Sequence, residues 1–85
     1  VKVKLLYFAA LREQLGRPGE ELELPRGVST VGALREQLRA RGGEWARVFA
    51  ANRAVRAAVN QDMAQPQAPI KPGDEVAFFP PVTGG

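Results

Sequence analysis

Glu20-Glu21-Leu22-Glu23-Leu24-Pro25-Arg26-Gly27-Val28-Ser29-Thr30-Val31-Gly32-Ala33-Leu34-Arg35-Glu36-Gln37-Leu38 changes its hydrophobic period part-way along, and that change decides the fold. From Glu20 to Leu24 polar and apolar side chains alternate, as in a strand with one wet face. Pro25-Arg26-Gly27 makes a turn. From Thr30, an N-cap residue type, the apolar positions shift to Val31, Leu34 and Leu38, one stripe of a helix running to about Arg41 and closed by Gly42-Gly43. A helix placed here must cross one face of whatever sheet the strands build.

On the N-terminal side, residues 1–8 read as a strand, with Val1, Val3, Leu5 and Tyr7 on one face and Lys2, Lys4, Leu6 and Phe8 on the other. Apolar residues take both faces from Leu5, so this strand is expected to be central and covered on both sides. Ala9 to Leu15 reads as a short helix, with Leu11 and Leu15 stacked at i and i+4 and Gly16 and Pro18 ending it. On the C-terminal side, Glu44 to Ala51 reads as a second short helix with Trp45, Val48 and Phe49 facing inward. Val55, Ala57 and Val59 alternate as a strand that turns at Asn60-Gln61-Asp62. Met63 to Gln67 reads as a brief edge strand limited by Pro66 and Pro69. Lys71-Pro72-Gly73-Asp74 is a turn, and Glu75 to Phe79 is the last strand. This order makes an α+β domain, a single sheet packed against one main helix.

The chain has 85 residues, enough for one domain and one core. It contains no Cys and no His, which removes thiolate chemistry, cysteine metal sites, and the commonest general base and metal ligand. Its single serine, Ser29, has no imidazole to activate it. No organised carboxylate pair stands out, so no metal site is expected. No run of about 18 apolar residues could span a membrane, and the alternating start is unlike a signal peptide, so a cytoplasmic location is expected. Val1 stands where an initiator methionine is usual, consistent with an alternative start codon read literally. The net charge of +3 and pI of about 10 invite a nucleic-acid reading. The basic residues are interspersed with acids, however, as on a solvated face, and no nucleic-acid partner is expected.

The last strand runs into Pro80-Pro81-Val82-Thr83-Gly84-Gly85. The two prolines fix φ and lack N–H groups, so they cannot continue a ladder and favour an extended, projecting chain. Six residues reach at most about 20 Å, enough to enter a partner's active site. Gly84 and Gly85 carry no side chain and can pass a narrow channel, and a glycine carboxylate is the least hindered a protein can offer. The chain therefore divides into a domain over residues 1–79 and an extended, flexible tail over 80–85.

Gly73-Asp74-Glu75-Val76-Ala77-Phe78-Phe79-Pro80-Pro81-Val82-Thr83-Gly84-Gly85 resembles the signature ending of the molybdopterin synthase small-subunit family, sulfur carriers of molybdenum cofactor synthesis. Leu6-Tyr7-Phe8-Ala9-Ala10-Leu11-Arg12-Glu13 and Ala57-Ala58-Val59-Asn60-Gln61 extend the likeness over nearly the whole chain, with Tyr7 standing where the family often has phenylalanine. The resemblance implies a ubiquitin-like β-grasp fold with a mixed sheet. It implies that an ATP-dependent adenylating enzyme of the ubiquitin-activating type activates the Gly85 carboxylate, and that a sulfur donor protein converts it to a thiocarboxylate. The tail, Pro80 to Gly84, would then thread into the synthase large subunit and give its sulfur to cyclic pyranopterin monophosphate. No cofactor would be bound by this chain itself, since ATP belongs to the activating partner and the large subunit supplies the catalytic side chains. The family's docking surface is apolar, and the matching positions are Phe8, Met63 and Phe79, which form one patch if the first and last strands are neighbours. Alternation leaves open which of Phe78 and Phe79 is exposed.

Three other readings share this fold. The thiamine-pathway sulfur carriers have the same Gly-Gly end but are usually shorter and lack the Phe-Phe-Pro-Pro run. A ubiquitin-like modifier would join Gly85 to lysines of target proteins. A stand-alone RNA-binding domain would show a salt-dependent gel shift.

Overall fold

The computed structural model describes residues 1–81. Along the chain these form β1 (Lys2–Tyr7), α1 (Ala10–Leu15), β2 (Gly19–Glu23), α2 (Val31–Arg39), α3 (Gly43–Val48), β3 (Arg56–Val59), β4 (Asp62–Ala64) and β5 (Glu75–Phe79). The strands join in one five-stranded sheet of order β2-β1-β5-β3-β4. β1 and β5 run parallel and the other neighbours antiparallel, so the sheet is mixed. The parallel pairing of the first and last strands requires a long crossover, and α2 lies within it.

α2 forms where the period changes. Thr30 is extended, and its hydroxyl accepts from the Ala33 N–H at 3.1 Å. The N–H groups of Val31 and Gly32 donate to the carbonyls of Ala68 and Pro66, so the helix start is tied to the chain after β4. Val31, Leu34 and Leu38 are buried against the sheet. They meet Val3, Leu5 and Tyr7 of β1, Val76 and Phe78 of β5, and Val48 and Phe49 in a single core. Four aromatic rings brace it: Phe49 stacks on Trp45 and meets Tyr7 and Phe78 edge-on. Arg35 completes the arrangement, donating to the carbonyls of Phe49, Ala50 and Arg53 and so fixing the segment that leads from α3 into β3. Burial lowers the pKa of this guanidinium from its ordinary value.

The core lies on one face of the sheet only, which corrects the expectation for the first strand. β5 is the middle strand, with β1 beside it. The second face of β1 is uncovered: Leu6 is half-buried and Phe8 is 45% exposed. The apolar residues from Leu5 onward therefore serve two surfaces, a core beneath and an apolar patch above.

Candidate functional site

β5 begins at a clamp. The Asn60 side chain donates to Asp74 Oδ1 at 2.9 Å and accepts from the Glu75 N–H at 3.0 Å, and the Lys71 N–H donates to Asp74 Oδ2 at 2.8 Å. The Asn60 bond and the Lys71 N–H hold the Asp74 carboxyl below its ordinary pKa. Asn60 and Gln61 both have positive φ, which turns β3 tightly into β4 and brings the Asn60 amide over the start of β5.

The other end of β5 is held on both sides. The Phe8 N–H donates to the Phe78 carbonyl at 3.1 Å, and Arg56 of β3 pairs with Phe79. Phe78 points into the core, 1% exposed, its ring 5.2 Å from that of Phe49 in a T-shaped contact. Phe79 therefore points to the opposite face, where it is half-buried. Of the two phenylalanines, Phe79 belongs to the open face. Pro80 and Pro81 follow in neither helix nor strand. Val82, Thr83, Gly84 and Gly85, the remaining candidate tail residues, lie outside the described residues.

Register assembles the open face. Leu6 pairs with Ala77, Ala77 with Ala58, and Ala58 with Met63, so these four form a row across four strands. Phe8 and Phe79 lie one step further toward the end where the chain leaves β5. The structure thus brings Phe8, Met63 and Phe79 onto one face, with Phe8 45% and Met63 63% exposed. Leu6 extends the patch, and Ala58 and Ala77, nearly buried between the larger side chains, form its floor; none of the three was singled out from the sequence as a docking residue. The usable signal was parity, since Leu6 shares its strand face with Phe8, and Ala77 with Phe79.

The β1–β2 side of this end carries a polar lock. The Tyr7 hydroxyl donates to Glu20 Oε2 at 2.9 Å, and Arg41 grips Glu20 with two bonds of 2.9 and 3.0 Å. The Arg41 guanidinium also sits 4.4 Å from the centre of the Trp45 ring. Burial alone would raise the Glu20 carboxyl, but hydrogen bonds from Arg41 and Tyr7 and the charges of Arg41 and Arg17 hold it below its ordinary pKa. Burial and the Glu20 bond push the Tyr7 phenol well above its own. These groups are spent on one another.

Among the described residues no group of three His, Cys, Asp or Glu side chains could hold a metal ion. A cleft of about 220 Å³ beside β4, reaching from Val31 to Met63 and Phe78, has no carboxylate, hydroxyl or lysine in its lining. Its buried-side guanidinium, Arg35, is occupied by three carbonyls. A second cleft, of about 360 Å³, is lined by Lys4, Glu20 and Glu21, with Glu20 already held by Tyr7 and Arg41. Beside these the described residues offer an apolar face and the anchored base of a terminal segment.

A family model described as the ThiS family matches residues 5–85, the last residue included. The chain belongs to the ThiS family. It is 42% identical to the molybdopterin synthase sulfur carrier subunit of Escherichia coli over 98% of this chain and 99% of that protein. Among solved structures, a putative molybdopterin converting factor, subunit 1, from Pyrococcus furiosus is 34% identical with a TM-score of 0.79, over 96% of this chain and 99% of that one. Small archaeal modifier protein 1 of Haloferax volcanii is 26% identical with a TM-score of 0.78, over 96% and 99%. The single mixed sheet packed against α2 is thus the ubiquitin-like arrangement shared with these solved structures. Within that arrangement the match runs the full length of β5 and on through the Gly84-Gly85 end.

Proposed function

We propose that this chain is the sulfur-carrying subunit of a molybdopterin synthase, contributing no catalytic side chain of its own to a heteromeric sulfurtransferase. The observation that carries the reading is the delivery of the terminal segment. β5, the middle strand, is clamped at its start, bonded on both sides at its end, and gives directly onto Pro80-Pro81 beside an apolar face. The family match through Gly85 and the relatives' names support the same reading.

On this reading the Gly85 carboxylate attacks the α-phosphate of ATP on an adenylating enzyme, expelling pyrophosphate. A persulfide on a donor protein then displaces AMP to form an acyl disulfide, and a thiol cleaves its S–S bond, leaving the thiocarboxylate on Gly85 and a disulfide on the donor side. The tail, Pro80 to Gly84, threads into the large subunit, where the sulfur passes to cyclic pyranopterin monophosphate. Phe8, Met63 and Phe79 dock against the large subunit with Leu6, Ala58 and Ala77. ATP is bound by the activating partner, and this chain holds no cofactor. The cycle runs in the cytoplasm.

Intact mass spectrometry of the protein from its native cells tests this. An oxygen-to-sulfur exchange confined to the C-terminal peptide is expected, and adding one residue after Gly85 should abolish both the exchange and molybdopterin formation. Full activity of the extended protein, with the extra residue retained, would sink the reading. The likeness to a small archaeal modifier protein favours a second one, attachment of Gly85 to lysines of other proteins after the same adenylation. Isopeptide-linked ladders in cell extracts that vanish on deletion of Gly85 would mark that role.

A further inference from the structure

The two ends of the sheet differ in charge. β1 and β5 finish at the end where the terminal segment leaves, and β2 and β3 start there. The segments at that end, residues 8–18 and 50–56, carry Arg12, Arg17, Arg53 and Arg56 against Glu13, and the adjoining lock adds Glu20 paired with Arg41. The opposite end mixes Lys2, Arg26 and Lys71 with Glu23, Asp62, Asp74 and Glu75. Arg17 is engaged with Glu20 and the Trp45 ring. Arg12, Arg53 and Arg56 are exposed and take part in no ion pair among the described residues.

Each of these arginines is placed by the fold. Arg56 opens β3 and pairs with Phe79, so it stands on the open face beside the last residue of β5. Arg53 sits in the segment whose carbonyls Arg35 grips, held near by the Phe49–Phe78 contact. Arg12 lies on α1, which starts two residues after Phe8 and is tied to it by the bond from the Leu11 N–H to the Phe8 carbonyl. We propose that Arg12, Arg53 and Arg56 form a cationic collar around the base of the tail, and that it docks on an acidic rim at the mouth of the large subunit's tail channel. This rests on the carrier reading above.

Length decides what the collar can act on. From Pro80 the tail spans at most about 20 Å, whereas charges are screened over roughly 8 Å at physiological ionic strength. With the tail threaded out towards that length, as the carrier reading requires, the collar is too far back to influence phosphate groups handled at Gly85. It acts on what surrounds the channel entrance, and there a desolvated like charge would be costly while a carboxylate is complementary. Arginine also suits the position: its guanidinium stays protonated and offers no free amine to an activated carboxyl. The chain's lysines, Lys2, Lys4 and Lys71, lie toward the opposite end of the sheet.

Stopped-flow association of the full chain with the large subunit, at 50 mM and 300 mM salt, tests the collar. R53E/R56E should lower the association rate constant about tenfold at low salt and flatten its salt dependence. The control, R26E/K71E, changes net charge equally from the opposite end and should lower it far less. R53Q/R56Q, which places no new acid near the core, should give an intermediate loss even if the glutamate pair disturbs folding. Equal rate constants for the R53E/R56E and R26E/K71E proteins, or for R53Q/R56Q and the unaltered chain, would overturn the collar while leaving the carrier reading intact. Failure of the unaltered chain to bind the large subunit at all would overturn both.

Discussion

Phe78 and Phe79 are adjacent in sequence, chemically identical, and assigned opposite work by the fold, so truncating each in turn separates stability from docking. Phe78 is 1% exposed and packed edge-on against Phe49. Phe78→Ala removes a fully buried ring from the middle strand, which typically costs about 3–5 kcal/mol. A domain of 85 residues has a total stability of about 4–13 kcal/mol at usual per-residue values. The variant should therefore lose a large share of it, with Tm falling by more than 10 °C at about 4–8 °C per kcal/mol. Phe79 is half-buried on a face that no helix covers, so Phe79→Ala should cost about 1 kcal/mol and a few degrees. Binding should reverse the order. If the large subunit buries the exposed part of the Phe79 ring, about a third of the side chain or less, the loss is about 0.5–1 kcal/mol, or roughly two- to fivefold in Kd. Urea denaturation of both variants and titration calorimetry against the large subunit read the two quantities separately. Equal destabilisation by both substitutions, or undiminished binding by Phe79→Ala, would refute the assignment of faces.

Other outcomes follow from single features. Ala9 has φ 54° and ψ −131°, a conformation suited to glycine, and Ala9→Gly should raise stability by about 1 kcal/mol, the strain of about 1–3 kcal/mol relieved exceeding the added chain entropy; an unchanged or lower urea midpoint would count against it. Glu20 has a lowered pKa when folded, so its contribution is present above the ordinary carboxylate range near 4.3 and is lost as pH falls through the folded value. Glu20→Gln should therefore lower Tm at neutral pH and make the acid side of the stability profile shallower. Tyr7 has a raised pKa, so its contribution is complete below about 10 and is lost at higher pH, and Tyr7→Phe should flatten the alkaline side of the same profile. Gly19 pairs with Leu6 so closely that a Cβ there would collide with the Leu5 carbonyl, and Gly19→Ala should destabilise the β1–β2 edge, seen as faster amide exchange in β2.

Much of the fold was legible because its signals are local. The period change at Thr30 located α2, and Glu75–Phe79 was bounded by Gly73-Asp74 on one side and Pro80 on the other. What the sequence could not label was face. Alternation divides β5 into two sets, Val76 with Phe78 and Ala77 with Phe79, but each set contains a phenylalanine, and the deciding contact is with Phe49, distant in sequence. The same limit hid Leu6, Ala58 and Ala77, whose shared row exists only through pairing of strands separated by long connections. The reading of β1 as covered on both sides failed for a related reason. A run such as Leu5-Leu6-Tyr7-Phe8 looks identical whether its second face meets a helix or forms a docking patch.

The clamp at the start of β5 and the patch at its end are linked by that same period of two. A one-residue slip of β5 against β1 and β3 would turn Phe79 toward Phe49 and put Phe78 on the open face, exchanging the core set for the docking set along the whole strand. Apolar character alone gives little protection, because both sets are apolar. Shape discriminates, through the aromatic pocket made by Phe49, Tyr7 and Trp45. The polar clamp discriminates further, because only one register satisfies the Asn60 amide and the Asp74 carboxylate together. Asp74, five positions before Phe79, and Asn60, directly after β3, thus determine which of the two rings faces the open side. The chemical work proposed for Gly85 needs no reactive side chain in this domain, but it needs the tail to start from a fixed place on a fixed face. A polar lock at the far end of the strand is a suitable device for that, since it sets register without adding a charge to the apolar surface a partner must cover.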